Sequence, residues 1–415
     1  MNLFKRKIIA FLPILAIMGP GIIAASADND AGGITTYSVA GATYGHSLLW
    51  VLVFTTLALA ITQEIGARMG LVTGKGLASL IREKFGIRWT AFVMGVLFIA
   101  NLGTIAAEFA GIAAAFEIFN VSKYISVPIA VLAMFFLVTK GSFKRLEKIF
   151  LLFSFFFIAY AISAFTLKPD WGSAISSLVV PSLQLDKGYI LTLMALIGTT
   201  ITPWGQFFIQ GYVVDKKLTK DDLKIERGDV FFGSFITNLV AFFIIITTAG
   251  ALFAHGIQIS DAKDAALALR PFFGEFATIL FGFGLLNASL FGAAIVPIST
   301  SYVITEAFGM ESGLNYSFKQ APEFYGLFAI SLVLGGLFVI LPFFPLLTIL
   351  VVSQAINAVL LIPIFIFLYL LSNDKKILGE YASNKVMNII VLLALMAISA
   401  TALIFVATTI FPNIF

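Results

Sequence analysis

The sequence predicts an all-α polytopic membrane protein of about eleven transmembrane helices. Three observations carry that prediction. Of 415 residues, 60% are hydrophobic and 12% charged, about half the charged share of a soluble domain. Apolar windows of about 18 residues or more, enough to span a bilayer, recur along the whole chain. Lys and Arg are distributed unevenly between the segments that join those windows.

The windows place spans at roughly 8–40, 47–67, 89–118, 124–139, 147–167, 188–213, 229–254, 271–305, 324–341, 344–371 and 386–411. The first and sixth are interrupted. The eighth is long enough to tilt or to run past the membrane. The ninth and tenth hinge near Pro342-Phe343-Phe344-Pro345. With a cytoplasmic N-terminus, 21 of the 26 Lys and Arg fall inside and 5 outside, as the positive-inside rule requires. An odd span count then leaves the C-terminus outside. Lys5-Arg6-Lys7 precede an apolar run with no small-residue cleavage site, so the first segment reads as a retained helix. The longest polar stretch, Asp215 to Asp229, mixes both signs and reads as a solvated loop. No linker or soluble domain intervenes, so residues 1–415 form one transmembrane domain. The expected setting is a bacterial-type plasma (inner) membrane, with no nucleic acid and no obligate protein partner.

The first interruption runs from Gly19 to Ile34. It carries Asp28 and Asp30, followed by Gly32 and Gly33. Charge at membrane depth is expensive and persists where it lines a cavity or pathway. Non-helical backbone is tolerated there only where protein or water covers it. The second interruption is Gly198-Thr199-Thr200-Ile201-Thr202-Pro203-Trp204-Gly205-Gln206. Pro203 removes a backbone donor and clashes with the preceding turn. A kinked helix repaired by hydroxyls is one reading; a second discontinuous helix is the other. Placement favours the second. The interruptions lie five spans apart, and an odd offset inverts the second copy. That is the pattern of inverted repeats, whose broken helices meet at the midplane. The repeats would cover roughly 8–167 and 188–371, with a last helix at 386–411.

Two carboxylates facing hydroxyls and freed carbonyls make a cation site. The donors are oxygens: Asp28, Asn29, Asp30, Thr199, Thr202 and backbone carbonyls. Such sets suit Mg²⁺, Ca²⁺ or Mn²⁺ over softer metals. Neither interruption holds Met, Cys or His, and the chain has no Cys. Disulfides, thiolate catalysis and iron–sulfur ligation are therefore excluded. His46 and His255 sit at outer span ends and receive no ligand role. No nucleophile–His pairing, His-Glu-x-x-His run or phosphate loop supports an enzyme. A channel would present uniform carboxylate rings, whereas this site is asymmetric within one chain. A sodium-coupled amino-acid transporter would offer amides to a substrate carboxylate, which paired Asp residues would repel.

These residues resemble the Nramp family of divalent metal transporters. The similarity runs from Gly19-Pro20-Gly21 through the first interruption and Ala42-Thr43-Tyr44-Gly45-His46-Ser47-Leu48-Leu49-Trp50. It continues in Thr73–Gly86, Ala107-Glu108-Phe109-Ala110-Gly111, the second interruption and Ser353-Gln354. The resemblance implies a LeuT-like fold of two inverted five-helix repeats, with helices 1 and 6 discontinuous. The departures matter more. The family's Asp-Pro-Gly-Asn reads Asp30-Ala31-Gly32-Gly33 here, so the Asn ligand becomes Gly33. Its Met-Pro-His reads Thr202-Pro203-Trp204, and the second His of that helix aligns with Ile209. The Asp three residues before Glu108 aligns with Ile105. Asp28 stands where the family carries an uncharged residue.

Losing the thioether removes a preference for soft metals, and Gly33 leaves room for water. Mg²⁺ dehydrates reluctantly and keeps waters. Losing His and Asp removes titratable groups from a proton route. The pattern is similar to the Nramp-related magnesium transporter branch. It implies Mg²⁺ as transported substrate, with Mn²⁺ accepted and no proton coupling; no cofactor is implied. A proton-coupled Mn²⁺/Fe²⁺ transporter is the nearest alternative.

Asp30 is the principal expected ligand, against a buried helix cap. Asp28 is read as ligand or cap. Thr199 would contribute its carbonyl, and Thr202 its hydroxyl unless that bonds back along the helix. Gln354 would close the site through its amide oxygen, or else bond between helices. Trp204 is read as cavity wall or packing aromatic, and Pro203 and Gly33 shape the site. Glu108 is a gate or vestibule residue. Glu64, four before Arg68, reads as a local ion pair.

Overall fold

The computed structural model describes residues 28–140, 150, 154–314 and 316–410. The first predicted span before Asp28 and the start of the fifth lie outside the described residues. Those described form helices and no strand. They begin with α1 (Ala31–Tyr44), α2 (Leu49–Thr73), α3 (Leu77–Phe85), α4 (Ile87–Ile118) and α5 (Lys123–Thr139). Then come α6 (Ile158–Leu167), α7 (Trp171–Val179), α8 (Lys187–Thr200), α9 (Pro203–Asp215) and α10 (Leu223–Ala251). The last are α11 (Phe276–Phe308), α12 (Pro322–Ile340), α13 (Leu346–Ser372) and α14 (Lys385–Ile410). Among the described residues, eight helical stretches are long and apolar enough to cross a membrane, counting α8 and α9 as one. The stretches Lys123–Thr139 and Ser154–Leu167 are shorter apolar helices.

Helix α4 is central and packs along α11, α13 and α12. Helix α1 lies against α10, and α8 against α13. With lipid outside, close packing drives such association, and small residues permit it. Gly198 shows the effect: a Cβ there would collide with the Gln354 carbonyl, so α8 rests on the backbone of α13. Gly41 does the same for α1, against Thr248 and the backbone at Ile245 on α10.

Two predicted features are corrected. The stretch from Asp215 to Asp229 is not a loop throughout. Thr219 and Asp222 form a capping box, α10 starts at Leu223, and Glu226 and Asp229 are buried. The eighth span starts at Phe276, because Gly274 at φ +55° ends a separate short turn, Arg270–Phe273. Its extra length lies at the other end. There the Glu306 carboxylate accepts from the Gly76 amide at 3.1 Å and the Ser79 hydroxyl at 2.8 Å, tying α11 to α3. Helices α3 and α7 are too short and amphipathic for a hydropathy window to detect.

Candidate functional site

The sixth span is discontinuous. Helix α8 ends at Thr200, and Ile201 (φ −112°, ψ 83°) turns the chain out of helical geometry. Thr202 (φ −81°, ψ 141°) restarts it as the N-cap of α9, with Pro203 in the first turn. Pro is favoured there because its missing N–H would have no intrahelical partner. The Thr202 hydroxyl accepts from the Gly205 amide at 3.3 Å. The last turn of α8 is where helical carbonyls run out of intrahelical donors.

Asp30 plays the matching part in the first interruption. It is the N-cap of α1 (φ −76°, ψ −174°), and its Oδ1 accepts from the Gly33 amide at 2.6 Å. The Thr202 hydroxyl donates to Asp28 Oδ1 at 3.3 Å, so the two interruptions touch. Asp28, Asn29, Asp30, Thr199 and Thr202 are all buried. Asp28 Oδ2, Asp30 Oδ2 and Thr199 Oγ1 have no hydrogen-bond partner.

Gly33 locates the centre. A Cβ placed on it would lie 3.0 Å from the Asp28 carbonyl oxygen, 3.2 Å from Thr199 Oγ1 and 3.4 Å from Asp30 Oδ1. Three oxygens thus converge on the space a side chain would fill. Gly205 opens a neighbouring space. A Cβ there would lie 2.8 Å from Thr202 Oγ1, 3.7 Å from Gln63 Nε2 and 3.9 Å from Asp28 Oδ1. Among the described residues, no group of three or more His, Cys, Asp or Glu is arranged to hold a metal. Any cation here would meet carboxylates mixed with neutral oxygens and water.

The Glu108 carboxyl faces that of Asp30 and the backbone of Ala31. It is fully buried and backed by Gly292 of α11, where a Cβ would collide with it. Gln354 lies over the first turn of α1: a Cβ on Gly32 would meet its Nε2. Its Oε1 accepts from Asn357 Nδ2 at 3.1 Å. Trp204 is buried on the first turn of α9, its ring edge-on to Phe208 at 5.4 Å. Ile105 packs where a Cβ on Gly335 of α12 would sit. Glu64 does pair with Arg68, both Oε atoms lying 3.2 Å from its Nε.

Four buried polar residues near this centre, Gln63, Gln206, Thr104 and Asn357, escaped the sequence reading. Each stands in an apolar span close to other polar residues, Gln63 between Thr62 and Glu64 and Asn357 three after Gln354, which is the only signal they carry. Both amide atoms of Gln206 and the Nε2 of Gln63 have no partner. Two cavities approach the interruptions. One, of about 360 Å³, is lined by Thr35, Glu117, Asp261, Lys263 and Leu350. The other, of about 290 Å³, is lined by Phe207, Tyr212, Asp215, Tyr302 and Glu306.

A span broken between α8 and α9, touching a buried acidic centre at the start of α1, defines a helical membrane protein with a polar site among its apolar spans. The profile of the Nramp (natural resistance-associated macrophage protein-like) family matches residues 21–408, and the chain belongs to that family. It is 27% identical over 397 residues to the divalent metal cation transporter MntH of Bacillus subtilis, covering 91% of this chain and 89% of that one. Identity to MntH of Yersinia pestis is 28% over 393 residues, covering 91% of each. A crystal structure of the Eremococcus coleocola manganese transporter superposes with a TM-score of 0.77 at 19% identity, over 96% of this chain and 88% of that one. Mhp1, a nucleobase-cation-symport-1 family transporter, superposes at 0.57 and 14% identity, over 94% of this chain and 93% of that one. These likenesses establish the shared fold.

Proposed function

We propose that the chain is a transporter of divalent metal ions that works by alternating access, with Mg²⁺ its main substrate and Mn²⁺ also accepted. The observation that carries this reading is the convergence of three oxygens on the space where a side chain at Gly33 would sit. The donors Asp28, Asp30, Thr199 and Thr202 are oxygens only. Hard cations favour such sets, and Mg²⁺ among them retains water. The space at Gly33 and Gly205 suits a partly hydrated ion. Gln354 completes the proposed site, with Pro203, Gly33 and Trp204 shaping it and Glu108 beside it.

The rest of the proposed architecture follows the span map. It has eleven spans in one domain, two inverted repeats and a last helix. The N-terminus is cytoplasmic and the C-terminus outside, in a bacterial-type plasma membrane. Transport is proposed to be uncoupled from protons, because Ile105 packs as an apolar residue against α12. A second reading, proton-coupled Mn²⁺ transport, has its own support. Glu108 beside Asp30 supplies a second acid, and the relatives are described as manganese or divalent metal transporters. Purified protein in liposomes carrying a metal indicator and a pH dye separates the two. The expected result is Mg²⁺ influx without lumenal acidification. Mn²⁺ influx with matched acidification and no Mg²⁺ influx would establish the second reading.

Thr202→Met tests selectivity. A thioether at the start of α9 is expected to let Cd²⁺ compete better against the transported ion, by about tenfold for one added soft ligand. Competition assays in the same liposomes measure it, and unchanged Cd²⁺ inhibition would remove Thr202 from the site.

A further inference from the structure

The Gln354 amide points the wrong way for a cation. Its Nε2 lies over Gly32 and has no partner, while its Oε1 is turned back to Asn357. Asn357 Nδ2 serves two acceptors, Gln354 Oε1 at 3.1 Å and Thr104 Oγ1 at 2.9 Å. Asn357 Oδ1 is buried and unpartnered. Gln354 and Asn357 are both fully buried, and so is Thr104. The arrangement therefore leaves one donor and one acceptor orphaned in a site where buried polar groups are normally paired.

Turning the Gln354 amide over would bring Oε1 over Gly32, in the first turn of the helix that Asp30 caps, and Nε2 toward Asn357. Two amide donors would then oppose each other unless Asn357 turned as well. If it does, Asn357 Oδ1 accepts from Gln354 Nε2. The Thr104 hydroxyl can follow, because a hydroxyl both donates and accepts. It receives Asn357 Nδ2 in one arrangement and donates to Asn357 Oδ1 in the other. The turned arrangement leaves a single orphan, Asn357 Nδ2.

We propose that Asn357 and Thr104 are positioning residues: they form an amide relay that turns Gln354 so that its oxygen faces a bound divalent cation. The relay rests on the transport reading above. It acts through Gln354 and touches no ion itself.

The test is uptake of Mg²⁺ and Mn²⁺ by liposomes, with KM and maximal rate measured separately. Asn357→Leu removes the acceptor that holds Gln354 turned. It is expected to raise KM about five- to tenfold, the worth of about one buried hydrogen bond, with maximal rate within about twofold. Asn357→Asp offers only acceptors, holds Nε2 away from the site, and is expected to leave KM at or below that of the unmodified chain. In a Gln354→Ala background neither change should move KM. Thr104→Val, which keeps the volume, should raise KM in the same direction but less, and serves if Asn357→Leu does not fold. Unchanged KM in both Asn357→Leu and Thr104→Val, equal shifts in Asn357→Leu and Asn357→Asp, or shifts that persist without Gln354 would each overturn the relay. An unmodified chain that takes up neither ion would overturn the transport reading itself, and the relay with it.

Discussion

Asp30→Ala is expected to abolish divalent-cation uptake, at least a hundredfold below the unmodified chain. Two roles converge on this carboxylate. One oxygen caps α1 by accepting from the Gly33 amide at 2.6 Å, and the other is buried without a partner beside the site. Alanine removes both, and loss of the cap alone costs about 1 kcal/mol. Asp30→Asn separates them, because Asn caps helices as well as Asp does. It should therefore keep thermal stability in detergent within about 1 kcal/mol of the parent. Removing one partner of a buried charge contact costs about 2 to 5 kcal/mol, about thirtyfold or more in affinity. Asn should thus fold normally and transport poorly. Full uptake by either variant would remove the site from this interruption. Full uptake by Asp30→Asn beside a destabilised Asp30→Ala would make Asp30 a structural cap.

The sequence reached different parts of this structure to different depths. Spans were legible because apolar length is a strong signal, and most boundaries fell within a few residues of the helices. The discontinuity between α8 and α9 was legible from Pro203 and its flanking glycines. The contact between the interruptions was not, because Thr202 meets Asp28 across 174 residues of chain. The start of α10 was misread because charge was taken for loop. Glu226 and Asp229 carry charge yet lie inside the protein. Gln354 was legible only through the family resemblance. Asn357 and Thr104 were invisible, since a polar residue inside a span also serves ordinary helix–helix packing. The first interruption is described only from Asp28 onward, so its expected other half stays an expectation.

The Glu64 carboxylate supports the second large effect, on stability. It pairs with Arg68 at 3.2 Å and with Arg227, whose Nη2 lies 2.6 Å away. Arg68 also donates to the Tyr381 carbonyl and, at 3.2 Å, to the Ser383 hydroxyl. One acid thus joins α2 to α10 and to the segment between α13 and α14. Glu64 is 1% exposed and Arg68 3%, whereas Arg227 is 44% exposed. The burial decides the magnitudes. Glu64→Gln leaves the Arg68 charge buried and uncompensated, which costs about 3 to 5 kcal/mol. Arg227→Ala removes a half-exposed partner and should cost about 1 kcal/mol or less. Thermal unfolding in detergent should therefore fall sharply for Glu64→Gln and slightly for Arg227→Ala. The double change Glu64→Gln with Arg68→Met tests the cause. Replacing both members of a buried pair is often neutral, so the second substitution should recover most of what the first lost. If the double variant is less stable than Glu64→Gln, the loss comes from Arg68's contacts with Tyr381 and Ser383 and not from an uncompensated charge.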